Sequence, residues 1–127
     1  MTPRARLLVV DDHPSVREVW CDALSLLGYD VVAAGDGTEA LALFDAAPYD
    51  LVLTDLMMPG MSGWQVAEAI RTRSATPVVL ITGSATEETT ERARAQGLVL
   101  LHKPMQLADL KRAVEEALGT RPFRVAP

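Results

Sequence analysis

The chain has 127 residues, of which 49% are hydrophobic and 23% are charged, as is typical of one globular domain with a buried core. Its net charge of −5 argues against direct nucleic-acid binding, which requires a surplus of Lys and Arg. The single cysteine, Cys21, excludes an intrachain disulfide, and no apolar run approaches the roughly 20 residues of a membrane span. With no signal-peptide pattern at the N-terminus, these features predict a cytoplasmic protein without membrane insertion.

Short apolar segments alternate with amphipathic segments along the chain. Continuous apolar runs predict strands covered on both faces, as in a parallel sheet. The predicted strands are residues 7–10, 29–33 (the weakest, an expected edge strand), 51–53, 77–81 and 98–101. The predicted helices are residues 15–27, 38–47, 63–72, 86–96 and 106–118. This alternation predicts right-handed βαβ crossovers and an α/β, flavodoxin-like fold: a doubly wound five-stranded parallel sheet in the order 2-1-3-4-5.

The first and last helices show apolar residues at spacings of three and four, which predict a buried face. In the first helix this face consists of Val16, Val19, Trp20, Ala23, Leu24 and Leu27. In the last helix it consists of Leu107, Leu110, Val114 and Leu118.

The helix at residues 86–96 has no large apolar residue. Ser84 and Glu87 have the spacing of a capping box, which predicts how this helix begins. Because alanines are its only apolar contacts, we expect it to dock weakly on the sheet and to shift readily.

Polar residues stand where the apolar runs end. Asp11 and Asp12 follow the first strand, Asp55 the third, Thr82 the fourth and Lys103 the fifth. Strands of a parallel sheet end at one edge, and in the order 2-1-3-4-5 the first and third strands are neighbours where the winding reverses. The sequence therefore predicts three carboxylates in one crevice, with a hydroxyl and a lysine beside them.

Three carboxylates at such close range repel, and a divalent cation removes that cost. Mg²⁺ fits best, because it prefers oxygen ligands and is commonly held by one or two carboxylates together with waters and phosphate oxygens. Lys103 adds a positive charge suited to an anion. A carboxylate, a metal, a lysine and a hydroxyl together predict phosphoryl chemistry.

Four motifs in this order resemble the receiver domain of two-component response regulators. They are "VVDDHPSVRE" for the acidic pair and first helix, "TDLMMPGMSGWQV" for the phosphoacceptor strand and its loop, "LITGSA" for the hydroxyl strand and "HKPM" for the lysine–proline step. The resemblance covers about residues 5–118 and predicts a receiver domain over residues 1–118, with a tail or linker stub at 119–127. The domain either stands alone or comes from a longer protein such as a hybrid histidine kinase.

The resemblance implies that Asp55 receives a phosphoryl group from a histidine kinase or a histidine phosphotransfer domain, and that the chain is not an enzyme with a separate substrate. Lys103 would pair with the phosphoryl group, and the Thr82 hydroxyl would respond to it. The implied metal ligands are the carboxylates of Asp12 and Asp55 and the backbone carbonyl of Met57, with Asp11 acting largely through water.

Three further expectations come from the resemblance. The Lys103–Pro104 peptide bond would be cis, as is common in the family. Leu100 stands where many receivers carry a phenylalanine or tyrosine that swings inward, so the fifth strand should respond weakly to phosphorylation. We therefore expect partner binding to involve the first helix and the loops around Asp55.

Three other functions fit this sequence less well. A phosphorylation-independent interaction module of the same fold has no need for three crowded carboxylates. A phosphatase with an aspartyl-phosphate intermediate usually places two aspartates at alternate positions after the first strand, whereas Asp11 and Asp12 are adjacent. A flavodoxin-like cofactor carrier would have a Ser/Thr/Gly-rich phosphate loop where this chain has "DDHPS".

Overall fold

Five parallel strands form one sheet in the order β2-β1-β3-β4-β5 in the computed structural model, which describes residues 4–103 and 106–119. The strands are β1 (Arg6–Val10), β2 (Asp30–Ala34), β3 (Leu51–Asp55), β4 (Val78–Thr82) and β5 (Val99–His102). The helices are α1 (Pro14–Leu26), α2 (Gly37–Ala46), α3 (Gly63–Arg73), α4 (Glu87–Ala95) and α5 (Leu107–Gly119). The predicted fold class and strand order are confirmed, with β2 at one edge.

The sheet is covered on both faces by two separate hydrophobic clusters. One cluster joins the sheet to α2, α3 and α4, and the other joins it to α1 and α5. Neighbouring residues of β3 point to opposite sides: Val52 belongs to the first cluster, and Leu51 and Leu53 belong to the second. Each such side chain, when fully buried, contributes about 1.5–3 kcal/mol to stability. Burial on both faces explains why these strands read as continuous apolar runs.

The predicted buried faces of α1 and α5 are wrong in part. Leu24 is the one buried residue of α1, and Val19 is 65% exposed. In α5, Leu110, Val114 and Leu118 are buried as predicted, but Leu107 is 49% exposed. Val19 and Leu107 instead line an open cleft of about 590 Å³ between the two helices. Helical spacing shows which side chains share a face, whereas neighbouring elements decide how much of that face is covered.

Helix α4 begins differently from the prediction. Its N-cap is Thr86, which forms a capping box with Thr89, so the predicted box between Ser84 and Glu87 is wrong. The N-cap thus lies two residues later than the predicted Ser84, whose backbone amide donates to the Thr82 hydroxyl instead.

Shallow docking of α4 is what the sequence predicts, and the structure shows one buried residue in this helix, Ala93. A contact that was not predicted adds to it. The guanidinium of Arg92 lies 4.3 Å from the centroid of the Trp64 indole on α3, a cation–π geometry. Helix α4 is therefore held by one small side chain and one exposed arginine.

Gly63 begins α3 where the helix touches the backbone of β3. A Cβ atom at this position would lie 2.6 Å from the carbonyl oxygen of Asp55 and 2.8 Å from Cα of Leu56. The Gly63 amide also donates to the Leu56 carbonyl at 2.8 Å. Because backbone atoms cannot move aside as a flexible side chain can, this close approach requires glycine.

We expect Gly63→Ala to lower the free energy of unfolding by about 1–3 kcal/mol, since the added methyl group forces β3 and α3 apart. Denaturant unfolding measures the change. The matched control is Gly83→Ala, because a Cβ at Gly83 meets no atom within 4 Å. Equal destabilisation by both substitutions would contradict this account of Gly63.

Candidate functional site

The carboxyl ends of β1, β3 and β5 bring two aspartates and a lysine together. Asp11 directly follows β1, Asp55 ends β3 and Lys103 directly follows β5. The Nζ atom of Lys103 lies 3.3 Å from Oδ1 of Asp55 and 3.7 Å from Oδ2 of Asp11. Both carboxylates are buried, and Lys103 is half-buried. One ammonium group thus bridges two carboxylates that come from neighbouring strands.

Backbone contacts fix the two carboxylates in place. The Asp11 amide donates to the Ala34 carbonyl, and the Asp11 carbonyl accepts from the side chain of Arg17 at 2.8 Å. The buried Thr54 hydroxyl donates to the Asp55 carbonyl at 3.0 Å. These bonds anchor the backbone at both positions, and pairing of β1 with β3 places the two positions side by side.

Asp12 carries a buried oxygen that lacks a hydrogen-bond partner. Its Oδ1 atom is shielded from solvent, and no described residue donates to it. The Nδ1 atom of the His13 imidazole lies 3.3 Å from this oxygen, without a hydrogen-bonding geometry. An unsatisfied buried acceptor is costly, and a metal ion is one group that would satisfy it.

His13 belongs to this cluster although the sequence motifs did not identify it as a site residue. Its backbone amide donates to Oδ1 of Asp11 at 2.9 Å, and its Nδ1 lies 3.6 Å from the same oxygen. This hydrogen bond, from a backbone amide to the side chain of the aspartate two residues earlier, forms an Asx turn. The signal in the sequence was the position of His13, immediately after an acidic pair at the start of a helix.

Electrostatics make the ionised form of Asp55 costly. Burial raises the pKa of the Asp55 carboxyl, the Lys103 ammonium partly offsets this and the charge of Asp11 adds to it, with a smaller contribution from Asp12. One lysine stands against three carboxylates, so an excess of negative charge is left at the carboxyl ends of β1 and β3. This excess and the unpartnered oxygen of Asp12 fit a hard divalent cation such as Mg²⁺.

Thr82 lies at the same edge but is connected to its own loop. It is buried, and its hydroxyl accepts from the Ser84 amide at 3.1 Å. Its carbonyl accepts from the Lys103 amide at 2.7 Å. Thr82 thus connects the end of β5 to the loop that leads into α4.

The remaining predicted residues lie around this centre. Met57 follows the buried Leu56 in the loop after β3, with a side chain that is 69% exposed. Leu100 is half-buried in β5 and packs against the cluster beneath α2, α3 and α4. Pro104 lies outside the described residues, and the predicted cis bond with it.

Trp20 is a neighbour that the sequence did not predict. Its ring centroid lies 6.0 Å from the Nζ atom of Lys103, and both residues line the cleft between α1 and α5. The lysine is thus positioned by two carboxylates on one side and an aromatic ring on another.

As regards membranes, every helix among the described residues is too short or too polar to cross a bilayer.

Comparison with curated proteins gives partial matches to longer chains. The sensor histidine kinase RcsC of Salmonella typhi is 39% identical over 110 residues, which cover 85% of this chain and 12% of RcsC. The chain spans 12–36% of the length of the curated relatives it matches.

Two solved structures show the same architecture. The chemotaxis protein CheY4 of Vibrio cholerae has a TM-score of 0.85 and 32% identity, over 91% of this chain and 99% of that one. The response regulator TrrA of Thermotoga maritima, solved in complex with Mg(2+)-BeF, has a TM-score of 0.80 and 34% identity, over 89% of this chain and 98% of that one.

The family model described as "Response regulator receiver domain" matches residues 7–115. This range runs from the second residue of β1 to a point within α5 and contains all the elements between them. This range contains the acidic pair, Asp55, Thr82 and Lys103. The chain therefore belongs to the family of response regulator receiver domains of two-component signalling.

Proposed function

We propose that this receiver domain accepts a phosphoryl group on Asp55 from a phosphohistidine, and that the reaction requires Mg²⁺. The main support for this proposal is that Lys103 contacts both Asp55 and Asp11, while the neighbouring Asp12 has a buried oxygen without a hydrogen-bond partner. The donor would be a histidine kinase or a histidine phosphotransfer domain, a partner class that membership of the family supports. In this role the chain is a phosphoacceptor rather than an enzyme with its own substrate.

The metal ligands in this proposal are oxygens at the ends of β1 and β3. The carboxylates of Asp12 and Asp55 and the backbone carbonyl of Met57 would hold Mg²⁺ directly, with Asp11 acting largely through water. When bound, the ion supplies positive charge that offsets the repulsion between the aspartates and an incoming phosphoryl dianion. The complex of TrrA with Mg(2+)-BeF supports this assignment by similarity.

Chemistry at Asp55 follows from its surroundings. A carboxylate oxygen of Asp55 forms the new bond to phosphorus while the bond from phosphorus to the donor imidazole breaks, and the leaving histidine keeps the electron pair. Asp55 must be ionised for this step. Lys103 favours the ionised form and is then positioned to contact a phosphoryl oxygen of the product.

Thr82 provides a route from the phosphoryl group to α4. A hydroxyl can accept one hydrogen bond and donate another, so Thr82 can keep its bond from the Ser84 amide while donating to a phosphoryl oxygen. Movement of Thr82 would then pull the loop that begins α4. The shallow docking of this helix keeps the cost low, on the order of 1–2 kcal/mol, the size of one or two net hydrogen bonds.

A phosphorylation-independent interaction module is the alternative function. It would use the exposed cleft between α1 and α5 but would leave the buried oxygen of Asp12 without a purpose. The phosphoacceptor function gives that oxygen a metal ion to bind. Action in the cytoplasm, without direct nucleic-acid binding, stays a prediction from the sequence.

We expect the protein to gain the mass of one phosphoryl group when it is treated with acetyl phosphate and Mg²⁺, and to gain none when the metal is chelated. Asp55→Asn should abolish the gain, because an amide is not a nucleophile for phosphorus. Intact-protein mass spectrometry measures both results. Asp22→Asn, a change of an exposed aspartate on α1, is the matched control and should label normally. Labelling that survives in Asp55→Asn would overturn the assignment.

Mg²⁺ alone should raise the melting temperature, since an ion that binds only the folded chain stabilises it by about 1.4 kcal/mol at ten times its dissociation constant. For a domain of this size the shift is on the order of 3–6 °C. Asp12→Asn should remove most of this shift. Asp30→Asn, at the opposite end of the sheet, should keep it. An equal Mg²⁺ shift in the wild type and in Asp12→Asn would exclude Asp12 as a ligand.

Beryllofluoride with Mg²⁺, a mimic of the phosphoryl group, should change hydrogen exchange mainly in residues 56–63 and 83–96. The first segment surrounds Asp55, and the second contains the loop bonded to Thr82 and the weakly docked α4. Leu100 cannot rotate as an aromatic ring would, so β5 should change little. Asp55→Asn treated in the same way is the control. A dominant change in residues 98–102, with residues 83–96 unaffected, would show that signalling runs through β5 instead.

A further inference from the structure

The imidazole of His13 lies beside the acidic pair at distances typical of ligands that share one ion. Its Nδ1 is 3.3 Å from Oδ1 of Asp12 and 3.6 Å from Oδ1 of Asp11. One nitrogen and two carboxylate oxygens of these three residues all lie within 4.8 Å of one another. Adjacent ligands of an octahedral ion with bonds near 2.1 Å are about 3 Å apart, so small side-chain rotations would complete such a set.

His13 has no structural task that would prevent this. Its side chain is 68% exposed, and it occupies the N-cap position of α1 without making a capping hydrogen bond. The bond from its backbone amide to Asp11 does not depend on the imidazole. The ring is therefore available to a ligand, and its replacement by another residue leaves the start of α1 intact.

We propose that His13 is a protein ligand that widens the metal preference of this site. Carboxylate oxygens alone favour Mg²⁺, whereas an imidazole nitrogen favours later first-row divalent cations such as Co²⁺ and Zn²⁺. In this proposal a cation such as Co²⁺ or Zn²⁺ is held by Asp11, Asp12 and His13. The inference rests on the metal-binding part of the proposed function and assigns its specificity to a residue outside the predicted ligand set.

Sharing of Asp12 has a direct consequence. Mg²⁺ would bind the Asp12 carboxylate together with Asp55. Co²⁺ or Zn²⁺ would bind the same carboxylate together with His13. Two divalent cations bound this close to one carboxylate repel each other, so binding of one weakens binding of the other. A cation bound through His13 therefore reduces the share of the protein that holds Mg²⁺.

The test uses untagged wild-type protein, Co²⁺ as the probe and calorimetric titration at one fixed pH. His13→Phe keeps a ring and removes the nitrogen ligand. His102→Phe is the matched control, since His102 is the other of the two histidines and lies exposed at the end of β5. We expect His13→Phe to bind Co²⁺ at least about tenfold more weakly than the wild type and His102→Phe to bind it normally. Mg²⁺ affinity should be unchanged in both variants, and added Mg²⁺ should displace Co²⁺.

A second measurement does not depend on any variant. In the wild type, Co²⁺ should produce large paramagnetic shifts of the His13 ring resonances, with much smaller shifts for His102. Equal Co²⁺ affinity in the wild type and His13→Phe, or unshifted His13 resonances, would overturn the role of His13 while Mg²⁺ binding persists. Loss of Mg²⁺ binding in the wild type itself would instead overturn the metal site of the proposed function.

Discussion

Excess negative charge at the ends of β1 and β3 is the constraint on which the rest of this site depends. Burial raises the pKa of Asp55, so its ionised form costs stability in the folded protein. The contribution of Asp55 to stability is therefore fully present below its ordinary pKa and is lost as the pH rises through the raised value. Above the raised pKa the domain bears this cost, and Lys103 offsets only part of it. A site with such a balance favours added positive charge.

Strand pairing and backbone contacts are what keep the charges close. Strand pairing places the ends of β1 and β3 side by side, and the contact of Gly63 with the Asp55 carbonyl anchors α3 against that end. The backbone amide of Lys103 donates a hydrogen bond to the Thr82 carbonyl, and its side chain donates one to Asp55. Repulsion between the aspartates is therefore relieved by the lysine, by protonation of Asp55 or by a bound cation, rather than by movement of the two strands.

Weak packing, by contrast, is concentrated in the elements next to the site. Helix α4 is held by Ala93 and by the contact of Arg92 with Trp64, and the cleft between α1 and α5 leaves Val19 and Leu107 exposed. Elements with few buried contacts shift at low cost and have exposed surface for a partner. This arrangement suits the proposed switch, in which a change at Asp55 would reach α4 through the Thr82 hydroxyl and the loop that leads into the helix.

The sequence by itself determined the fold and the strand ends that carry Asp11, Asp55 and Lys103, because strand runs, helix spacing and strand direction are written in local patterns. The tertiary structure alone decided three things: the His13 ring lies beside the acidic pair, Trp20 lies next to the lysine, and the predicted faces of α1 and α5 are partly exposed. These depend on how separate elements approach one another. A periodic pattern shows which residues share a face, but packing distances and side-chain rotations set what that face touches.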